Sequence, residues 1–332
     1  MRKLLMASVG IAVAATAGPV AAQTSDWTGA YVGGRIGYAK GSDDNNEQIL
    51  FDTNLDGDFG NSVNTATGAN AFSPGFCGGT AESAIAADGC DKDDNGLDYA
   101  VHAGFDYDLG SIVVGGLVEY GRSDVEDAVT AFSTTPANYV FNREMRGTFG
   151  LRGRVGIDAG GFMPYVTAGV VRAKIRNSFS TSNSVNAFAL NQSSQTETGI
   201  RLGAGVEAMV GPVSVGLLYL YTDVKDKDAR VAVTRGTAGA TNPFILVNPN
   251  GTNFRRSADS FTVNSLGLTA SLRFGGGGAA ALPPPPPPPP PIEAPMAPAT
   301  QTCADGSVIM ATDICPAPPP PPPPAPSVGE RG

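Results

Sequence analysis

Three groups of residues in this sequence are of types that can do chemistry. The first is His102, the single histidine of 332 residues, which stands between Asp98 and Asp106. A histidine beside a serine or a carboxylate can activate a nucleophile. No Gly-x-Ser-x-Gly motif accompanies it. The alternation around it places His102 in mid-strand among acids, so an interior hydrogen-bonding role is expected. The second group is Asp91-Lys92-Asp93-Asp94-Asn95-Gly96. Asp91, Asp93 and Asn95 match ligand positions one, three and five of a calcium loop, with Gly96 at six. Position twelve is His102 where such a loop has a bidentate glutamate, and a strand pattern follows where it has a helix. Asp43, Asp44, Asp56 and Asp58 add acid to the same loop. A solvated loop base is the preferred reading, with weak divalent binding as the rival; no metal or cofactor is assigned. The third group is the four cysteines, which fall as two local pairs, Cys77 with Cys90 and Cys303 with Cys315. An even count in an exported chain reads as two disulfides. Metal binding has no Cys-x-x-Cys and no neighbouring histidine to support it.

Export itself follows from the first 22 residues. Arg2 and Lys3 precede an apolar stretch, Leu4 to Ala17, and Val20-Ala21-Ala22 fits a cleavage site for a signal peptide. The formal net charge is −9. Without Arg2 and Lys3 the mature chain is more acidic still, which argues against nucleic acid as a partner.

The elements that must position these residues are strands. Residues Leu97 to Leu109 alternate strictly. One face is Leu97, Tyr99, Val101, Ala103, Phe105, Tyr107 and Leu109; the other is small or charged. Arg143 to Asp158 repeats the pattern, with Met145, Gly147, Phe149, Leu151, Gly153, Val155 and Ile157 on the apolar face. Further alternating segments are 28–40, 112–122, 162–176, 198–210, 213–223 and 261–274. Very short turns join three pairs of them, at 109–112, 158–162 and 210–213. The other connections, 41–96, 123–142, 177–197 and 224–260, are long and read as polar loops. Short turns at one end, long loops at the other and strands of bilayer-crossing length describe a transmembrane barrel. A soluble sandwich or lipocalin-like barrel would turn its apolar face inward. Here the polar face carries both signs in mid-strand and is rich in glycine, as a narrow interior requires. Its acids are Asp98, Asp106, Asp108, Glu119, Glu144 and Glu207; its bases are Arg35, Arg146, Arg152, Arg154, Arg201 and Arg273. Their balance predicts interior ion pairs, because an unpaired charge there is costly.

The expected fold is therefore all-β: an eight-stranded antiparallel transmembrane β-barrel with long extracellular loops, over residues 23–274. A ten-stranded form, using a hairpin from the fourth loop, is the alternative. Segments 229–235 and 244–247 are expected to extend the wall above the membrane as strands. After Phe274 the chain changes character. Four glycines and nine consecutive prolines, Pro283 to Pro291, start a tail over 275–332 that cannot build a sheet or a core. Nine prolines in an extended helix span roughly 28 Å. The tail reads as a disordered periplasmic spacer holding a Cys303–Cys315 loop.

Several of these segments resemble a known family. Trp27-Thr28-Gly29-Ala30-Tyr31-Val32-Gly33-Gly34-Arg35-Ile36-Gly37-Tyr38 resembles the opening strand of the small Omp25-like outer-membrane β-barrel proteins of alphaproteobacteria. Tyr219-Leu220-Tyr221-Thr222-Asp223 is similar to their seventh strand. Gly267, Ala270, Leu272 and the closing Phe274 resemble the signal read by the barrel assembly machinery. The resemblance covers roughly residues 26–274 and extends to the transmembrane domain of OmpA. It implies an eight-stranded barrel in the cell outer membrane and outer-membrane lipid as surroundings; it does not imply one activity. The tail resembles the hinge of some OmpA-like proteins, which leads there to a peptidoglycan-binding domain. No such domain follows in this sequence, so peptidoglycan or a periplasmic protein is an expected partner of the tail without that domain's support.

Three functional classes follow. A structural or surface-interaction protein, acting in envelope integrity, adhesion or recognition through its outer loops, is expected first. A low-conductance porin for ions or small solutes is the rival. A lipid-modifying outer-membrane enzyme comes last, because His102 lies on the inward face and not at the bilayer rim.

Overall fold

The structure, a computed structural model, describes residues 26–41, 46–93, 95–226, 229–275 and 299–320. The expected signal peptide (1–22), the acids Asp43, Asp44 and Asp94, and the run Pro283 to Pro291 lie outside these residues. The chain divides into two compact units, Met1–Ala279 and Ala280–Gly332.

Eight strands form the wall of the first unit. They are β1 (Gly29–Gly41), β2 (Gly96–Asp108), β3 (Ile112–Ser123), β4 (Ala137–Ile157), β5 (Phe162–Thr181), β6 (Ser194–Val210), β7 (Val213–Lys225) and β8 (Ser260–Phe274). Each pairs antiparallel with its neighbour in chain order. β1 also pairs with β8, from Ala30↔Phe274 to Gly41↔Val263, and this closes an eight-stranded barrel. Closure leaves no free strand edge, the condition under which strands can stand in lipid.

Alternation sorts the side chains. On β2, Val101 and Phe105 are 64% and 54% exposed, whereas Asp106 between outward neighbours is wholly buried. Outward Leu151, Val155, Val166, Val170, Ile200 and Leu268 continue the apolar belt around the wall. The interior is narrow enough that glycine is required in places. A Cβ on Gly104 would lie 2.5 Å from the Tyr31 ring, and one on Gly205 2.7 Å from the Tyr165 ring.

At one residue the alternation reverses. Lys174 pairs with Gly147 but Ile175 pairs with Met145, so Arg146 is an extra residue in β4. Such a bulge turns every later side chain to the opposite face. Below it, Phe149 and Leu151 face out; above it, Met145, Arg143, Phe141 and Tyr139 are buried. This corrects the expectation that Met145 belongs to the outward apolar face. It also places Glu144 and Arg146 outside the interior: they pair with each other at 2.7 Å, partly exposed.

The long connections are not solvated loops. β4 and β5 run past the expected ends at Arg143 and Arg176, to Ala137 and Thr181. Strand Glu126–Ser133 continues the β3 side of the hairpin and pairs with β4, and Gly75–Gly78 pairs with it in turn. A separate four-stranded sheet is built from Ala187–Leu190, Val231–Thr234, Thr252–Arg256 and Ile49–Asp52. Both sheets contribute to one apolar core, including Val129, Tyr139, Phe141, Phe51, Val231, Phe244 and Phe254. The connections thus fold into a packed cap. Of the two segments expected to be strands here, 229–235 contains Val231–Thr234. The other, 244–247, is not a strand. Asn242 Oδ1 accepts from Phe244 N at 3.1 Å, and Pro243 opens a short 3₁₀ turn, Pro243–Ile245.

In the second unit, Thr300–Thr302 and Val308–Met310 form an antiparallel hairpin. Gly306 at its tip has φ +83°, a conformation that glycine adopts without strain. The Cys303–Cys315 disulfide ties this segment, as Cys77–Cys90 ties the loop before β2.

Candidate functional site

The interior of the barrel is the place where sequence and fold bring the reactive side chains together. It is built in layers from the turn end to the loop end. At the turn end, Trp27 is fully buried and clusters with Val113, Met163, Tyr165, Leu218 and Leu220. Its ring nitrogen donates to Asp158 at 3.2 Å, which pins it across the opening.

Next comes a charged layer. Arg154 pairs with Asp106 and, at 2.7 Å, with Glu207. Arg273 pairs with Asp106 at 2.6 Å and donates to the Trp27 carbonyl at 2.6 Å. Tyr31 and Tyr165 lie against the Arg154 guanidinium, with ring centroids at 4.6 and 5.2 Å. A planar guanidinium can hold two carboxylates through its fork and stack on aromatic faces at once, which lysine cannot do. One level higher, Glu119 receives Arg152 at 2.9 Å and Arg201 on its other oxygen. Thr167 and Thr222 accept further donors from these arginines, at 3.2 and 2.9 Å. Arg35 pairs with Asp98. His102 does not join a carboxylate: its Nε2 meets Ser271 Oγ at 2.8 Å, and its ring stands edge-on to Tyr31. Ser271 is itself 3% exposed and His102 is half-buried, so this Ser–His contact lies on the inward face of the wall and not on the membrane face.

Above the charges, a second apolar layer crosses the bore. Ala39, Val125, Met145, Val171, Ala173, Ile175, Val224, Phe261 and Val263 form one buried cluster with members from β1, β4, β5, β7 and β8. A further charged layer separates it from the cap. Arg143 pairs with Asp127 at 2.6 Å and Asp226 at 3.4 Å. Arg256 pairs with Asp127 at 2.7 Å and with Glu47, and donates to the Asp127 carbonyl at 2.7 Å. Burial alone would raise the Asp127 carboxyl, but Arg256 and Arg143 beside it hold it below the ordinary carboxylate value.

The remaining sequence candidates lie elsewhere. Asp108 sits at the rim, where it accepts from Trp27 N and Gly110 N. Asp91 lies in the short strand Cys90–Asp91 and is exposed, as is Asn95. Asp93 accepts from Ala128 N at 2.8 Å; burial pushes its carboxyl up to about 6. Among the described residues no three acid, histidine or cysteine side chains converge on one point. Gly267, Leu272 and Phe274 lie on β8; Leu272 and Phe274 face outward at the turn end. Sequence reasoning missed Ser271 and the whole Glu47–Asp127–Arg143–Asp226–Arg256 layer. Asp127 stands in what reads as a polar loop and Arg143 opens the strand read after it, and only their buried neighbours reveal them.

A closed eight-stranded wall with an apolar exterior and a charged, filled interior defines a small outer-membrane barrel. The chain belongs to the outer membrane protein beta-barrel domain family, whose model matches residues 9–274. It is similar to a 22 kDa outer membrane protein of Rhizobium leguminosarum bv. viciae, with 31% identity over 154 residues. That alignment takes in 46% of this chain and spans 64% of the relative's length. Among solved structures it is similar to Neisserial surface protein A, at 13% identity over 74% of this chain and 98% of that one, with a TM-score of 0.32. The attachment invasion locus protein Ail of Yersinia pestis, solved with the heparin analogue sucrose octasulfate, is 12% identical over 74% of this chain and 99% of that one, with a TM-score of 0.29. Scores this low add nothing to the strand register. The protein is an outer-membrane barrel.

Proposed function

We propose that the protein is a closed scaffold that displays a rigid cap at the cell surface, with a structural or recognition role and no catalytic one. The observation that supports this reading most directly is the second apolar layer, in which Met145, Ile175, Phe261 and their neighbours fill the bore. An ion path needs a continuous wet lining, and two apolar layers with paired charges between them offer none. The cap supports the recognition role. Binding residues are commonly carried on loops held by a rigid scaffold, and here the loops share a core with the wall. Its upper surface carries a cavity of about 250 Å³ among Thr135, Tyr139, Asn183 and Phe244. In this reading the cap faces outward, β8 carries the assembly signal, and the tail leaves Phe274 on the inner side. There peptidoglycan or a periplasmic protein is its partner. His102 serves the packing of the interior, because its Ser271 partner has no access to substrate.

The test is single-channel recording on the refolded full chain in a planar bilayer. The expected result is a silent membrane. Steady, reproducible unitary steps would overturn the closed scaffold in favour of a low-conductance porin.

A further inference from the structure

The spacing of a calcium loop occurs a second time in this chain, inside the cap. Asp52-Thr53-Asn54-Leu55-Asp56-Gly57-Asp58 places oxygen-bearing side chains at positions one, three and five, glycine at six and a further acid at seven. Calcium loops present their ligands with this spacing, the seventh through its backbone carbonyl. The segment starts on the last residue of strand Ile49–Asp52. Gly57, at φ +93°, makes the sharp turn needed at position six. Its N donates to Asp52 Oδ2 at 3.1 Å, which folds the Asp52 carboxylate over the turn. Asn54 Nδ2 donates to Asp56 Oδ2 at 2.6 Å, so the next two side chains already stand together.

The residue that points to a ligand is Asp52. It is 1% exposed, and its Oδ1 meets neither solvent nor a hydrogen-bond donor. Among the described residues Asp52, Asp56 and Asp58 have no ion-pair partner. Arg230 and Arg255 lie over the Phe59 ring, at 5.2 and 4.9 Å, yet neither pairs with an acid of the loop. Arg255 reaches Asp259 at 3.7 Å instead. A buried carboxylate oxygen without a partner is costly, and a metal ion is one of the few groups that can meet it. The donors here are all oxygens, which selects a hard divalent cation. A loop that supplies few side chains in irregular geometry suits the flexible shell of calcium better than the strict octahedron of magnesium.

We propose that Asp52, Asn54, Asp56 and the Asp58 carbonyl bind one calcium ion, which ties the cap together. The donor set is mixed, two carboxylates with an amide and a backbone carbonyl, and so needs no point at which three acids meet. Position twelve falls on Val63, a buried member of the cap core, so the bidentate glutamate is missing and water completes the shell. The dissociation constant is therefore expected at about 10⁻⁴ to 10⁻³ M, the range of extracellular modules. The consequence is mechanical. Phe51, next to Asp52, belongs to the cap core, and its carbonyl accepts from Gly60 N and Asn61 N at 3.1 and 3.0 Å. The Asn54 carbonyl accepts from Asn248 Nδ2 at 3.1 Å. An ion at Asp52 thus holds a strand, its loop and the turn at Asn248 in one place. The inference takes its calcium supply from the outward-facing cap and is independent of whether the bore is closed.

The experiment uses the full chain refolded in detergent and freed of metal with a chelator. Equilibrium dialysis with radioactive calcium counts bound ions. Limited proteolysis with a protease that needs no metal, its fragments identified by mass, reads the loop at 53–61. Calcium is expected to slow cleavage there, with half the effect at about 10⁻⁴ to 10⁻³ M. Magnesium should need on the order of tenfold more. Asp52→Asn keeps the shape and removes the charge, and should raise the calcium requirement on the order of tenfold or abolish the effect. Asp91→Asn, in the other acidic run, should leave it unchanged. Folding of each variant is checked by its heat-dependent gel mobility, and if Asp52→Asn fails to fold, Asp56→Asn, at an exposed position, replaces it. No protection at about 10 mM calcium, equal protection by magnesium, or equal protection of the Asp52 variant would overturn the proposal. So would loss of protection in Asp91→Asn alone. The refolded chain has no outside, so these results do not depend on which way the cap faces, and their failure would leave the scaffold reading standing.

Discussion

The bore and the cap solve the same packing problem with opposite materials. In the bore, arginines and carboxylates fill the levels between two apolar layers, and a belt of further apolar side chains faces out. In the cap, phenylalanines and a tyrosine face in: Phe72 and Phe51 lie 4.5 Å apart by ring centroid, and Phe254 stands edge-on to Phe51 at 5.0 Å. The difference follows from the solvent. Lipid takes the apolar face of a strand without cost, so the inward face is free to carry charge if every charge is paired. Water rewards burial of apolar surface, so a wall that leaves lipid must turn its aromatics inward. What holds each region differs accordingly. The bore depends on pairings that fail one at a time, and the cap depends on a shared core.

The sharpest way to break this contrast is at Arg154, which answers to both Asp106 and Glu207. Arg154→Ala leaves two buried carboxylates, Asp106 and Glu207, with Arg273 as their remaining cation. The expected loss is about 5 kcal/mol, the upper part of the range for breaking a buried pair. It should appear as a marked fall in the temperature at which the barrel changes gel mobility. An unchanged temperature would mean that the network does not hold the wall. Phe254→Ala should cost about 3–4 kcal/mol as a core truncation, but only in the cap. Proteolysis between residues 46 and 93 or 229 and 256 should quicken while the barrel's gel mobility is kept. If both readouts move together, cap and bore are one cooperative unit and the comparison is too sharp.

The smallest effect is expected from pH, and it runs in two directions. The folded Asp93 carboxyl sits at about 6, above its ordinary 3.8, so between these values the folded state binds more protons. Its favourable contribution is present below 3.8 and is lost as pH rises through about 6. Asp127 lies below the ordinary value, so its contribution is present above 3.8 and is lost as pH falls through the folded value. Cleavage in the loop before β2 should therefore increase modestly from pH 4 to pH 7, and Asp93→Asn should flatten that trend. Cleavage that slows over this window would reverse the sign assigned to Asp93.

The wall was legible because lipid imposes one simple rule, and Leu97 to Leu109 obeys it at every position. The interior pairs Arg152–Glu119 and Arg154–Asp106 were legible as a set for the same reason, since inward residues are the alternate ones. Which acid meets which base was not, because partners come from strands far apart in sequence. The cap was hidden for a different reason. Phe51, Phe72, Tyr139, Phe244 and Phe254 are scattered among Asn, Ser, Thr and Gly and come from several connections. Each aromatic looks isolated until the connections meet. Arg146 hid the turnover itself: 143–158 reads as one continuous alternation, and only the pairing shows the extra residue that divides it.

That residue has a consequence for how deep the protein sits. Below it, β4 presents Ile157, Val155, Leu151 and Phe149 outward, a height of roughly 20 Å at the tilt usual for such strands. Above it, the same strand has the inside-out polarity of a water-soluble protein. The bulge is thus a waterline written into the chain, a mark at which one strand passes from oil to water by a single added amino acid. Removing Arg146 would not merely loosen a pairing. It would move that line, and ask the membrane to cover a surface made for the outside.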